Sequence, residues 1–128
     1  VIVVDTSAVV AVLVGEPGTE RLADVLTQGP CAMAAATYVE LGIVVEAKFG
    51  PGGTQLLHEL LDRVEMRVVE VDADLAAEAV VSWRRFGKGR HRAGLNFGDT
   101  FSHALAVRSD APLLFVGDDF IHTDVEVA

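Results

Sequence analysis

Short apolar runs, each too brief to form a helix, alternate along this chain with longer segments of helical period. That alternation admits few folds. Residues 1–4, 31–34, 67–71 and 113–116 read as strands, and residues 125–127 as a short edge strand. Between them, the periodicity predicts helices over residues 6–13, 19–28, 37–49, 55–64, from a cap at Asp72 to about Arg85, and 96–108. Gly50-Pro51-Gly52-Gly53 reads as a helix stop and the hinge of a helical hairpin. Val1-Ile2-Val3-Val4 carries no polar position, as expected of a central strand buried on both faces. Strands joined by helices need right-handed crossovers, so the fold class is α/β with a parallel sheet covered by helices. In such sheets function sits beyond the carboxyl ends of the strands.

A chain of 128 residues is expected to form one domain, 1–128, with a real core. Half of it is hydrophobic and 23% is charged, which argues against disorder. No apolar run approaches the roughly 18 residues of a membrane span, and the opening apolar stretch is broken by Asp5 with no basic residue before it. A soluble, cytoplasmic protein is expected. Cys31 is the sole cysteine, so neither an internal disulfide nor a cysteine zinc cage is available. A net charge of −9 argues against a general nucleic-acid binder. The local distribution differs: Arg84, Arg85, Lys88, Arg90 and Arg92 fall within nine residues, with His91 among them and no acid. Residues 86–95 hold three glycines and are expected to form an exposed loop.

The acids carry the chemistry. Asp5 ends the first strand and Asp118 follows the last, so chain direction alone sets both at one sheet edge. Asp99, near the start of a helix, reaches that edge if its loop packs there, and Glu40 lies near the start of another. Each has a plain structural alternative. Asp5, Thr6 or Ser7 can cap a helix. Thr37-x-x-Glu40 and Asn96-x-x-Asp99 have the form of capping boxes. Asp118 and Asp119 can be turn residues. As a set they are harder to dismiss, because acids this deep in apolar sequence are costly without a partner, and no basic residue flanks Asp5 or Glu40 closely in sequence. A divalent-cation site is the expected explanation. An all-oxygen donor set favours Mg²⁺, with Mn²⁺ as a substitute. Cations held by carboxylates suit phosphoryl chemistry. His103, four residues after Asp99, is expected to be a packing or surface histidine, and Asp124 a surface acid.

At these residues the chain resembles the PIN-domain ribonucleases, and among them the VapC type of bacterial toxin. The resemblance rests on Val4-Asp5-Thr6-Ser7-Ala8, Tyr38-Val39-Glu40, Asn96-Phe97-Gly98-Asp99 and Leu114-Phe115-Val116-Gly117-Asp118-Asp119-Phe120, in that order over essentially the whole chain. It implies a three-layer α/β/α sandwich and a Mg²⁺-dependent endoribonuclease. It also implies a homodimer neutralised by a small antitoxin protein. By position, Asp5, Glu40, Asp99 and Asp118 are the implied acidic quartet. Asp5 and Asp99 are the implied direct metal ligands, Glu40 holds metal or activates water, and Thr6 or Ser7 supplies a hydroxyl. The final motif runs Gly117-Asp118-Asp119-Phe120 without the spacing common among relatives, so Asp119 rivals Asp118 as the fourth acid.

Beside such a cleft, the basic segment from Arg84 to Arg92 reads as an RNA-phosphate contact, with a solvated loop as the plain alternative. Two other functions compete. A haloacid-dehalogenase-like phosphatase also ends its first strand in Asp, but wants a second Asp where this chain has Ser7. A non-catalytic binding module would use the acids only structurally, and would gain no thermal stability from Mg²⁺ or Mn²⁺.

Overall fold

Each central strand feeds side chains alternately to two separate apolar cores, and this two-sided burial sets the architecture. The computed structural model describes residues 1–128. In chain order the elements are β1 (Ile2–Val4), α1 (Thr6–Val14), α2 (Glu20–Thr27), β2 (Cys31–Ala34), α3 (Ala35–Arg63), β3 (Arg67–Val69), α4 (Ala73–Phe86), α5 (Phe97–Ser109) and β4 (Leu113–Leu114). The four strands form one parallel sheet in the order β3-β2-β1-β4. Val4, Met33 and Leu114 point into a core shared with α1, α2 and α3. Val3, Ala34 and Leu113 point the opposite way, into a core shared with α4 and α5. The result is the expected α/β/α sandwich. Period-2 alternation explains it: with helices on both faces, every position of the central strands β1 and β2 must be apolar, while the edge strand β3 tolerates Arg67.

Several boundaries differ from the sequence expectation for identifiable reasons. β4 stops at Leu114, because the Val116 N–H bonds to the Ser7 hydroxyl (3.0 Å) and leaves the ladder. The segment at 125–127 makes a single parallel bridge, Leu113 to Val127. It covers the outer edge of β4 through Leu113 N–H to Glu126 O (2.8 Å) and Ala128 N–H to Leu113 O (3.0 Å). α3 begins at Ala35 rather than Thr37, so the anticipated Thr37/Glu40 capping box does not form. Thr37 is instead buried (1% exposed). Within α3 the helix breaks at Gly50, whose φ of 69° suits glycine, and Pro51 opens the second limb where its missing N–H costs nothing. Thr54 Oγ1 reaches back across the break to Glu46 Oε1 (3.2 Å).

The loop after α4 is more compact than expected. Leu95 N–H bonds to Phe86 O and Lys88 N–H bonds to Leu95 O (both 2.9 Å), and Ala93 and Leu95 are buried. Gly87 is required there, because a Cβ would lie within 2.4 Å of the Trp83 side chain and carbonyl.

His103 is the packing histidine of the second core, 1% exposed. Its Nε2 lies 2.7 Å from Asp124 Oδ1 and its Nδ1 lies 2.7 Å from Ser82 Oγ. A carboxylate only accepts, so Nε2 carries the proton and Nδ1 accepts from Ser82. Burial lowers the imidazole pKa despite the Asp124 charge, and the ring stays neutral. Burial works against ionisation of Asp124, but bonds from His103 and from Arg85 (2.9 Å) hold its carboxyl below the ordinary range. This network fastens the C-terminal segment to α4 and α5. Asp124→Ala leaves the Nε2–H without its acceptor. Urea denaturation should then show a loss of about 1–3 kcal/mol; an unchanged midpoint would remove this network from the account of stability.

Candidate metal centre and active site

The carboxyl ends of β1 and β4 open into a cleft lined by Asp5, Thr6, Ser7, Glu40, Lys48, Asn96, Asp99 and Asp119, among others. Asp5 leaves β1 and caps α1. Its Oδ2 accepts from the Ser7 N–H (3.1 Å) and the Ser7 hydroxyl (2.7 Å). Its Oδ1 accepts from Ser102 Oγ (2.6 Å). Ser102 is fully buried on α5 and lies 3.4 Å from the Thr37 hydroxyl, so Thr37, Ser102 and Asp5 form a chain running inward from the cleft. At 4% exposure, Asp5 is solvated mainly by hydroxyls from two other positions.

Glu40, in the first half of α3, turns toward α1 and accepts from Thr6 Oγ1 at 2.6 Å. Its carboxylate also lies against Gly98. A Cβ at that position would sit 2.3 Å from Oε2, so only glycine admits Glu40 to the N-terminal turn of α5. An anion is stabilised there by the helix dipole.

Asp99 meets both of its sequence readings. The capping box is present: Asn96 Oδ1 accepts from Asp99 N–H (2.9 Å), and Asp99 Oδ2 accepts from Asn96 N–H (3.1 Å). The same carboxyl is 8% exposed and faces the cleft. Burial pushes its pKa up to about 7, against the pull of the Asn96 N–H bond, and the nearby Asp5 and Asp119 carboxyls add to the rise.

Of the two candidates for the fourth acid, Asp119 lines the cleft and Asp118 does not. Gly117 turns the chain with φ of 106°, and Phe120 is anchored (2% exposed) against Phe115 at a ring separation of 5.2 Å. The anchor carries Asp119 up to Asp99 and leaves Asp118 outward.

Lys48 also borders the cleft, contributed by α3 from far along the chain, but it makes no ion pair there. Ser102, Gly98 and Lys48 are the residues that the motif pattern left without a role. For Gly98 the signal was available in its place between Asn96 and Asp99. For Ser102 no local signal existed.

Asp5, Glu40, Asp99 and Asp119 thus share one opening, with Glu16 as a fifth acid in its lining, although no three His, Cys, Asp or Glu groups stand close enough to enclose an ion. The donor set suits Mg²⁺ or Mn²⁺, which use one or two carboxylates and keep several waters. Burial and, to a lesser extent, the Asp5 and Asp119 carboxyls disfavour the charged form of Asp99, a cost that a bound cation would offset.

In the basic segment, Arg84 and Arg85 belong to the last turn of α4. Arg85 is committed to Asp124. Arg90 donates to Arg84 O (3.1 Å) and lies over the Trp83 ring (4.8 Å). Arg84, Lys88 and Arg92 make no ion pair.

A parallel α/β/α sandwich with carboxylates gathered at the carboxyl edge of its central strands defines the class. The PIN-domain model matches residues 2–126, and the chain belongs to the PIN-domain family. Ribonuclease VapC of Mycolicibacterium smegmatis is 50% identical over 124 residues, covering 96% of each chain. Among solved structures, Mycobacterium tuberculosis VapC20, described as a sarcin-ricin loop cleaving toxin, superimposes with a TM-score of 0.73 at 20% identity, over 94% of this chain and 92% of its own. A toxin-antitoxin complex from Klebsiella pneumoniae gives 0.73 at 15% identity, over 100% of this chain and 97% of that one. At such identities the structural likeness speaks for the fold.

Two outcomes test this geometry. Folded, Asp99 keeps its proton to about pH 7, whereas unfolded it loses it near 3.8. The native state therefore binds more protons across that interval, and stability falls as pH rises through it. In chelator, melting temperature should drop from about pH 5 to about pH 8, and Asp99→Asn should flatten that part of the profile; identical profiles would contradict the assignment. Separately, Gly98→Ala should displace the Glu40 carboxylate and diminish the rise in melting temperature produced by Mn²⁺, while the metal-free fold survives.

Proposed function

We propose that this chain is a divalent-cation-dependent endoribonuclease, the toxin of a toxin-antitoxin pair. The observation that carries the reading is the cleft that gathers Asp5, Glu40, Asp99 and Asp119 at the carboxyl ends of the central strands, where burial first and the neighbouring acids second raise the Asp99 pKa to about 7. The relationship to Ribonuclease VapC over nearly the whole chain supports RNA as the substrate. Asp5 and Asp99 hold the cation, Mg²⁺ or Mn²⁺. When bound, the cation polarises the scissile phosphate and lowers the pKa of a water.

The protein's own groups do the rest. Ser7 and Ser102 fix the Asp5 carboxylate before substrate arrives, so no rotamer freedom is lost at that moment. Asn96 fixes Asp99 in the same way. Thr6 occupies Oε1 of Glu40, leaving Oε2 beside the start of α5 to accept a proton from the attacking water. Asp119 completes the acidic wall in the place first expected of Asp118. Lys88, Arg84 and Arg92 are free to contact RNA phosphates beyond the cleft, and Arg85 and Arg90 hold the segment in shape.

A small antitoxin protein that covers the cleft, and a homodimeric toxin, complete the proposal. Support for the antitoxin comes from the relationship to Ribonuclease VapC over nearly the whole chain, the toxin type for which such a partner is expected. No helix is long and apolar enough to cross a membrane, which fits an enzyme acting on RNA in the cytoplasm.

With Mg²⁺, the purified chain should cut RNA. Asp5→Asn or Asp99→Asn should reduce the rate by at least about a hundredfold with circular dichroism unchanged; wild-type rates in both variants would end the assignment. Replacing Lys88 and Arg92 together with Ala should weaken RNA binding and make the salt dependence shallower by about two phosphate contacts. An unchanged salt slope would free these residues from the substrate.

A further inference from the structure

Next to the acidic cleft lies a second concavity of 640 Å³ that its chemistry does not use. It is lined by Val80 and Trp83 of α4, Phe97 and Phe101 of α5, and Lys88 and Leu95 of the loop between them. Asn96 lines both this groove and the acidic cleft, so the two adjoin at that residue. Phe97 is 81% exposed, in contrast to Phe120 at 2%. A phenyl ring so placed gains little from folding. It is nonetheless positioned, by an edge contact with Phe101 at 5.1 Å between centroids. Trp83, 41% exposed, carries the Arg90 guanidinium over its ring at 4.8 Å. The arrangement is a pair of exposed aromatic rings, a free lysine and a basic loop, directly beside a cleft built for a phosphodiester.

The geometry points to a nucleobase-binding groove: an unstacked base of single-stranded RNA, next to the bond being cut, enters between Trp83 and Phe97. This rests on the ribonuclease reading above and extends it to a residue class that the acids do not supply. Base faces stack on aromatic rings with little regard to sequence, while cations beside them follow the backbone. Lys88 is placed to take the phosphate of the same nucleotide. Phe97 sits one residue after the Asn96 cap and two before Asp99. A base on its ring therefore sets the register of the strand relative to the acids, and Phe97 is a positioning residue. A second copy of this chain would also cover apolar surface here. The Asn96 wall shared with the acidic cleft and the positive charge of Lys88 in the lining favour RNA, whose backbone phosphates seek cations beside the aromatic rings that stack its bases.

Trp83 is the only tryptophan, so its emission reports on the groove directly. The full chain in EDTA, where no cutting is expected, is titrated with oligouridylate and with an oligomer of equal length and charge whose bases are replaced by abasic sites. Oligouridylate should quench Trp83 and bind about tenfold or more tightly than the abasic oligomer, the effect of at least one base–aromatic stack. Phe97→Ala should bring oligouridylate down to the abasic affinity, and Phe97→Tyr should restore it. Circular dichroism of both variants should match the parent, since the side chain is exposed.

Equal affinities for the two oligomers, or an emission unmoved by bound RNA, overturn the groove. An emission that shifts with protein concentration alone, with a doubled mass in sedimentation, gives the groove to a second copy and overturns it as well. The two readings fail separately. Base-dependent binding through Phe97 in a chain that cuts no RNA with Mg²⁺ refutes the nuclease and keeps the groove. Full cutting with Mg²⁺ by a parent chain that binds the two oligomers equally refutes the groove and keeps the nuclease.

Discussion

The Asp5 carboxylate is the junction on which both fold and site depend. Both of its oxygens are engaged, one by Ser7 at the start of α1 and the other by Ser102 from the middle of α5. Ser7 in turn accepts the Val116 N–H, and the Asp5 N–H bonds to Leu114 O, so the exit of β4 is tied to the exit of β1. A carboxylate in a nearly dry position needs such partners, because burial without them costs far more than any one bond returns. The same bonds that make the burial tolerable draw α1, α5 and the β4 exit to one point. An edge lined with acids follows from that convergence, since each element brings its own acid or hydroxyl with it.

Close packing extends the logic to neighbouring positions. Glu40 comes to the start of α5 only because Gly98 has no side chain there, and Gly87 has the same relation to Trp83. Glycine at these places is needed for proximity rather than for an unusual backbone angle. On the far side, the His103 network with Ser82 and Asp124 locks the C-terminal segment down, next to the Phe120 anchor that presents Asp119. Support for the fourth acid therefore reaches well beyond the cleft itself.

Much of the fold was legible because strand and helix patterns are local. Residues 31–34 were expected as a strand and form β2, and the helix stop at Gly50-Pro51 appears where the backbone turns left-handed. The two capping boxes divide instructively. Asn96/Asp99 forms one, while Thr37/Glu40 does not, because α3 starts directly from β2 and Thr37 is drawn inward toward Ser102. The same short pattern served two ends, and only the position of the helix start separated them. Residues 86–95 form the expected loop, exposed at Lys88, Gly89, Arg90 and Arg92, but nothing local reveals that Ala93 and Leu95 are buried beneath it.

What the sequence determined by itself was the class of fold and the kind of chemistry. Alternating strand and helix periods dictate a parallel sheet, and acids at strand ends must then meet near its carboxyl edge. Tertiary structure decided which acids meet and how they are held. It chose Asp119 over Asp118 through the Phe120 anchor, recruited Ser102 across 97 residues to Asp5, and opened the aromatic groove beside Asn96. Those choices depend on side chains brought together by packing from distant parts of the chain, and spacing along one strand of sequence cannot encode them.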